Sequence, residues 1–134
     1  MILLSLALLA ADPSSLGPIG RQMLPAKGCA AYLWDVAPKR TLVAMATADP
    51  AQLRLQLDGR PIVVVRGGQQ GSAGFGFAGV TEYRGGDITA VLDMAVQTRP
   101  DLTGGAVVPA ATLRIDQPGR DTLVTPVAGI IGCG

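Results

Sequence analysis

Cys29 and Cys133 stand at the two ends of a strand-rich sequence and are the only cysteines in the chain. Two cysteines permit a single intramolecular pairing, so a bond between them would tie the first strand of the domain to the last. Closing so long a loop stabilises a fold by up to ~4–5 kcal/mol in the chain-entropy picture. A bond of this kind persists in oxidising compartments, so the pairing and the location of the protein are one argument.

The N-terminus supplies the other half of that argument. Residues 2 to 11, Ile-Leu-Leu-Ser-Leu-Ala-Leu-Leu-Ala-Ala, form an apolar run. Its length suits the core of a signal peptide and falls short of the roughly 20 residues that a membrane-spanning helix requires. No basic residue precedes it, and Leu9 stands where a small residue is preferred before cleavage after Ala11. The expected organisation is a signal peptide over 1–11, a linker or N-terminal extension over 12–28 opening on Asp12-Pro13-Ser14-Ser15-Leu16-Gly17-Pro18, and a β domain over 29–134. The mature chain then has no integral membrane segment and is periplasmic or secreted.

Within the domain, hydrophobic periodicity reads as strands. Gln52-Leu53-Arg54-Leu55-Gln56-Leu57 alternates polar and apolar residues, which places the leucines on one face. Asp58-Gly59 supplies the positive φ angles of a tight hairpin turn, and Ile62-Val63-Val64-Val65 returns beyond Pro61. From Ile88 to Val96 the alternation recurs. Cys29–Trp34 and Thr41–Ala46 form an earlier hairpin, while Ala111–Asp116 and Thr122–Val127 form a later one across Gln117-Pro118-Gly119-Arg120, leading through Ile130-Ile131 to Cys133. No amphipathic helix is evident. The pattern predicts an all-β fold, a single antiparallel β-sandwich or small β-barrel of about seven or eight strands, its terminal strands joined by the disulfide.

Composition removes several functions. With no histidine, serine and cysteine nucleophiles lack their commonest general base, and a zinc site lacks its commonest nitrogen ligand. Eleven basic against ten acidic residues give a net charge of +1, which offers no overall pull toward nucleic acid or an anionic membrane. Glu82, Asp87 and Asp93 could be gathered on one hairpin across the Arg84-Gly85-Gly86 turn as an unrecognised acidic site, and their spacing matches no calcium loop. No catalytic residue, metal or cofactor is assigned.

The least ordinary stretch runs from Gly67 to Gly79. Gly74, Gly76 and Gly79 satisfy G-x-G-x-x-G, but strand-like Val80-Thr81-Glu82-Tyr83 follows where a dinucleotide site needs a helix. Two readings stand. In one, a loop runs into a bulged, glycine-rich strand whose Phe75 and Phe77 share a face and pack into the core. In the other, an exposed loop presents Ser72 and the two aromatics to a partner, with Tyr83 and Arg84 close by.

Leu55-Gln56-Leu57-Asp58-Gly59, Ser72-Ala73-Gly74 and Tyr83-Arg84-Gly85-Gly86-Asp87, set between two terminal cysteines, are similar to stretches of the periplasmic C-type lysozyme inhibitors. The resemblance implies a small disulfide-closed barrel, with Ser72 on a loop that enters the enzyme cleft. Arg84 occupies the region of that family's lysine, with an extra glycine after it. The sequence thus points to a small secreted or periplasmic, non-catalytic β domain with a binding or structural role. A protein partner in the cell envelope, assembly through open sheet edges, and inhibition of a lysozyme-like enzyme are the interactions to be weighed, with an enzyme built on carboxylates as the catalytic alternative.

Overall fold

In a computed structural model that describes residues 14–36 and 40–134, eight antiparallel strands close into a barrel in which each strand pairs with its sequence neighbours. The expected signal peptide, 1–11, lies outside the described residues. The strands are β1 (Cys29–Asp35), β2 (Leu42–Ala48), β3 (Ala51–Leu57), β4 (Arg60–Gln70), β5 (Val80–Gly85), β6 (Ile88–Gln97), β7 (Gly105–Asp116) and β8 (Leu123–Cys133). Of the two expected architectures, the barrel is the one formed. β8 returns to pair with β1 and completes the circuit.

The alternation of each strand decides its two faces. Leu53, Leu55 and Leu57 of β3 are buried while Arg54 between them is exposed. Leu92 and Met94 flank exposed Asp93 on β6 in the same way. An eight-stranded barrel is just wide enough for its interior to be filled by side chains. Here small residues face large ones across the ladders, with Ala44 opposite Leu55, Ala46 opposite Leu53, and Ala90 opposite Tyr83. The wall facing outward carries Arg54, Arg84, Asp93 and Arg114, all exposed. Between these charges the outer wall also exposes Val63, Val65, Val124 and Ile130, while the interior is apolar throughout its cluster.

Closure depends on how near β8 comes to β1. Gly129 faces the interior opposite Leu33. A Cβ placed there would sit 1.8 Å from the Tyr32 carbonyl oxygen, so only glycine permits this approach. At the end of the same ladder Cys29 and Cys133 are direct cross-strand partners, bonded to each other with Cα atoms 4.0 Å apart. Gly134 N–H donates to Gly28 O just beyond them, which makes the cysteines a non-hydrogen-bonded pair, the closer of the two antiparallel spacings.

Two expectations about strand length need correction. β4 continues through Gly67, Gly68, Gln69 and Gln70 with a bulge between Arg66 and Gly68, where the sequence suggested that a loop had begun. β7 starts at Gly105 instead of Ala111, and a second irregularity between Val108 and Ala111 accommodates Pro109. In both places a bulge breaks the period-2 pattern without ending the pairing.

Residues 14–28, composed like a linker, lie against the barrel. Where β2 and β3 diverge, the segment slots between them. Asp58 N–H donates to Ser15 O, Gly17 N–H to Gln56 O, and Ile19 N–H to Leu42 O. It then crosses the outside of β1 as a strap, where Ile19 packs with Trp34 and Leu42 over a second small apolar cluster of Ala30, Tyr32 and Met45.

The disulfide spans a sequence separation of 104 residues. Replacing both cysteines, Cys29→Ser with Cys133→Ser, should lower unfolding stability by about 2–5 kcal/mol through the freed denatured chain. Urea denaturation of the double variant beside the oxidised protein measures it. An unchanged midpoint would mean that closure is carried by β1–β8 pairing alone.

Candidate functional site

The barrel has two ends of different character. The first holds the disulfide, the Asp49–Pro50 turn with its cis peptide, the β4–β5 loop and the β6–β7 loop. The opposite end holds the tight turns at Asp58-Gly59 and Gly86-Asp87, the β7–β8 turn and the beginning of the strap.

At the disulfide end the loop from Gly71 to Gly79 folds back as a miniature hairpin. Ala73 N–H donates to Phe77 O, Phe77 N–H to Gly74 O, and Met94 N–H to Gly79 O, which anchors the loop to β6. Its two-residue turn is Phe75-Gly76, with φ of 58° and 84°, the positive values of a type I′ turn. Phe75 and Phe77 therefore do not share a strand face, because a turn and not a bulged strand carries them. Phe77 is buried in the interior cluster, and Phe75 is half-buried against it. Gly71, Ser72 and Gly76 remain exposed.

The other sequence-derived contact residues go to different places. Tyr83 is 1% exposed and belongs to the interior cluster. Arg84, next along β5, points outward, where it pairs with Glu82 and lies over Gly67. Ser72 precedes β5 at the disulfide end, whereas Arg84 lies near the opposite end of that strand. Of the five residues read as contacts, the structure leaves Ser72 and Arg84 exposed, well separated, and turns Phe77 and Tyr83 inward.

The crevice at the barrel mouth on this end offers no room for a ligand. Between Thr47, Arg66, Gln69, Phe77, Thr81 and Tyr83 the residual space is about 10 Å³, the size of a single water site. Burial pushes the Tyr83 phenol above its ordinary pKa, opposed by its hydrogen bond with Thr81 and the nearby Arg66 charge. Tyr32 is raised by burial as well, with Arg54 opposing. Both phenols stay protonated at neutral pH and serve packing and hydrogen bonding. Glu82, Asp87 and Asp93 are spread along the β5–β6 hairpin, and no group of three metal-ligating side chains forms among the described residues. No side-chain polar atom among them is both buried and unpaired.

The opposite end is an electrostatic clasp that periodicity does not reveal. Asp58 receives the Ser15 N–H at 3.0 Å and the Arg120 guanidinium through two hydrogen bonds of 3.1 Å. Gln117 Nε2 donates to the hydroxyl of buried Ser14. One carboxylate thus joins the β3–β4 turn, the β7–β8 turn and the start of the strap. The Ser15 N–H, chiefly, and then Arg120 hold the Asp58 carboxyl below its ordinary value against the opposing effect of desolvation.

A carboxyl with a lowered folded pKa contributes stability that is complete above its unfolded value of about 3.9 and disappears as pH falls through the folded value. Asp58→Asn keeps the positive-φ turn chemistry but removes the charge. The stability gap between the parent protein and this variant should be present at neutral pH and close in strong acid. Denaturant midpoints measured across that range decide it; a gap independent of pH would assign the effect to geometry instead of charge.

No known protein family, curated protein or solved structure matches the chain.

Proposed function

We propose that this protein is a non-catalytic, extracytoplasmic β-barrel domain that acts by binding an envelope protein through its outer surface. The observation that carries this reading is a barrel both closed and filled. Closure pairs every strand with two neighbours and leaves only the tip of β4 beyond Val65 open toward β3, which favours loop recognition over edge-to-edge assembly. The interior is packed by buried side chains from all eight strands, which favours recognition on the outside over a small-molecule chamber. What remains for recognition is the exterior and its loops.

The Gly71–Gly79 loop is the contact surface in this reading. Its backbone is fixed by internal and β6 hydrogen bonds before any partner arrives, so little ordering entropy opposes binding. Its most exposed residues, Gly71, Ser72 and Gly76, are small and allow close backbone approach, with half-buried Phe75 beside them. The disulfide, and the absence among the described residues of a helix long and apolar enough to cross a membrane, are compatible with an oxidising compartment outside the cytoplasm.

Two substitutions separate the loop's surface from its anchor. Ser72→Arg places bulk on the exposed rim and should leave the thermal melt unchanged while abolishing capture of the envelope partner. Phe77→Ala removes a buried ring and should cost about 3–5 kcal/mol of stability. Melting curves beside cross-linked pull-downs from envelope extract read both. Capture undiminished by Ser72→Arg would refute the loop assignment, and substrate turnover by the purified protein would refute the non-catalytic one.

A further inference from the structure

The strap ends in an apolar tip that the fold holds outward. Met23 is 86% exposed and Leu24 59%, the former more than any other large apolar side chain among the described residues. The backbone beneath them is pinned: the Tyr32 hydroxyl donates to Met23 O at 3.1 Å, and Gln22 Nε2 donates to Ile19 O at 3.0 Å. Leu24 passes so close over Gly132 that a Cβ there would lie 2.8 Å from its Cδ2. Beside the tip, Ile130 is 50% exposed and Trp34 half-buried, both lining a shallow apolar groove with Tyr32 and Leu42.

Charge on the strap itself has one sign. From Pro13 to Trp34 the chain carries Arg21 and Lys27 and no carboxylate, and β8 from Leu123 to Cys133 carries no charge at all. Both strap cations are exposed. Two carboxylates border the face: Asp35, which accepts from the Thr41 N–H, and Asp101, whose charge is offset beside it by Arg99. Apolar side chains projecting between basic ones, with a tryptophan alongside, are the chemistry of a protein that sits at a bilayer interface.

We propose that the strap face docks on an anionic membrane surface, with Met23 and Leu24 entering the interfacial region while Arg21 and Lys27 meet lipid headgroups. Leu102, 40% exposed on the loop whose Gly104 O accepts the Cys133 N–H, extends the apolar footprint at the same end of the barrel. The face is distinct from the Gly71–Gly79 loop, so docking and partner recognition can succeed or fail independently.

The test is co-sedimentation of the full chain with phosphatidylglycerol–phosphatidylcholine vesicles and with phosphatidylcholine vesicles alone. The apolar residues 2–11 are the same in every variant, so differences report the strap. Binding should require the anionic lipid and weaken with salt. Met23→Ser should reduce it about tenfold, and Arg21→Gln or Lys27→Gln about fivefold each. Met23 packs against so little that its variant should melt with the parent. Equal binding by parent and variants, or equal binding to both vesicle types, would overturn the proposal. So would a parent protein that ignores vesicles and forms a dimer dissolved by Met23→Ser, which would make the tip a self-association contact.

Discussion

Pairing between β1 and β8 is the constraint on which the other features rest. These strands lie at opposite ends of the domain sequence, and joining them incurs the largest single loop-closure cost of any ladder. Gly129 allows the approach by presenting no side chain to the Tyr32 carbonyl, and the Cys29–Cys133 bond makes the end of the ladder covalent. Once that ladder exists the remaining pairings are local hairpins, and only the tip of β4 beyond Val65 is left as an edge. Closure also turns the period-2 pattern of every strand into a division between interior and exterior. A register slip of one residue on β3 would drive Arg54 into the space that Leu53 and Leu55 fill.

Filling the barrel had a consequence for the outer wall. Interior volume is limited, so β2 sets Ala44 and Ala46 against Leu55 and Leu53 of β3, while Tyr32, Trp34, Leu42 and Met45 of β1 and β2 form a second apolar patch on the outside. That outer apolar patch needs covering, and the strap covers it in part. Its attachment at one end is polar, through Asp58 and Arg120, while along β1 it is apolar, through Ile19. The two attachments respond differently to solution conditions, because acid weakens the first and leaves the second.

Much of this architecture was legible in the sequence where side-chain alternation was unbroken. The segment from Gln52 to Leu57, the Asp58-Gly59 turn and the long β6 strand are each a local signal, and all three occur where they were expected. The extensions of β4 and β7 were not legible, because Gly67 and Gly68 carry no side chain to alternate and Pro109 argues against a strand. The strap was hidden for a related reason. Serine, proline and glycine between residues 14 and 20 have the composition of a linker, yet the bonds to Gln56, Leu42 and Asp58 that fix the segment are long-range and leave no periodic trace. At the candidate contact loop the aromatic residues were visible but their directions were not: a type I′ turn at Phe75-Gly76 separates two phenylalanines that simple alternation would place together.

Charge illustrates the same gap between a total and its distribution. A formal net charge of +1 removes any long-range pull on a polyanion, and that conclusion holds for the molecule as a whole. Screening confines electrostatics to about 8 Å at physiological ionic strength, however, so a surface responds to the charges beside it and not to the sum. Five aspartates, Asp35, Asp58, Asp87, Asp116 and Asp121, fall on strand ends and turns at the end of the barrel away from the disulfide. The strap's carboxylate-free stretch runs from that end to the other, and its exposed tip lies beside the disulfide. Arg40, Arg60, Arg84, Arg114 and Arg120 share that first end and balance the aspartates, so what folding makes distinct is the carboxylate-free strap itself and its basic, apolar tip. A near-neutral protein thus carries one locally basic surface, and it is this local surface and not the net charge on which the docking proposal rests.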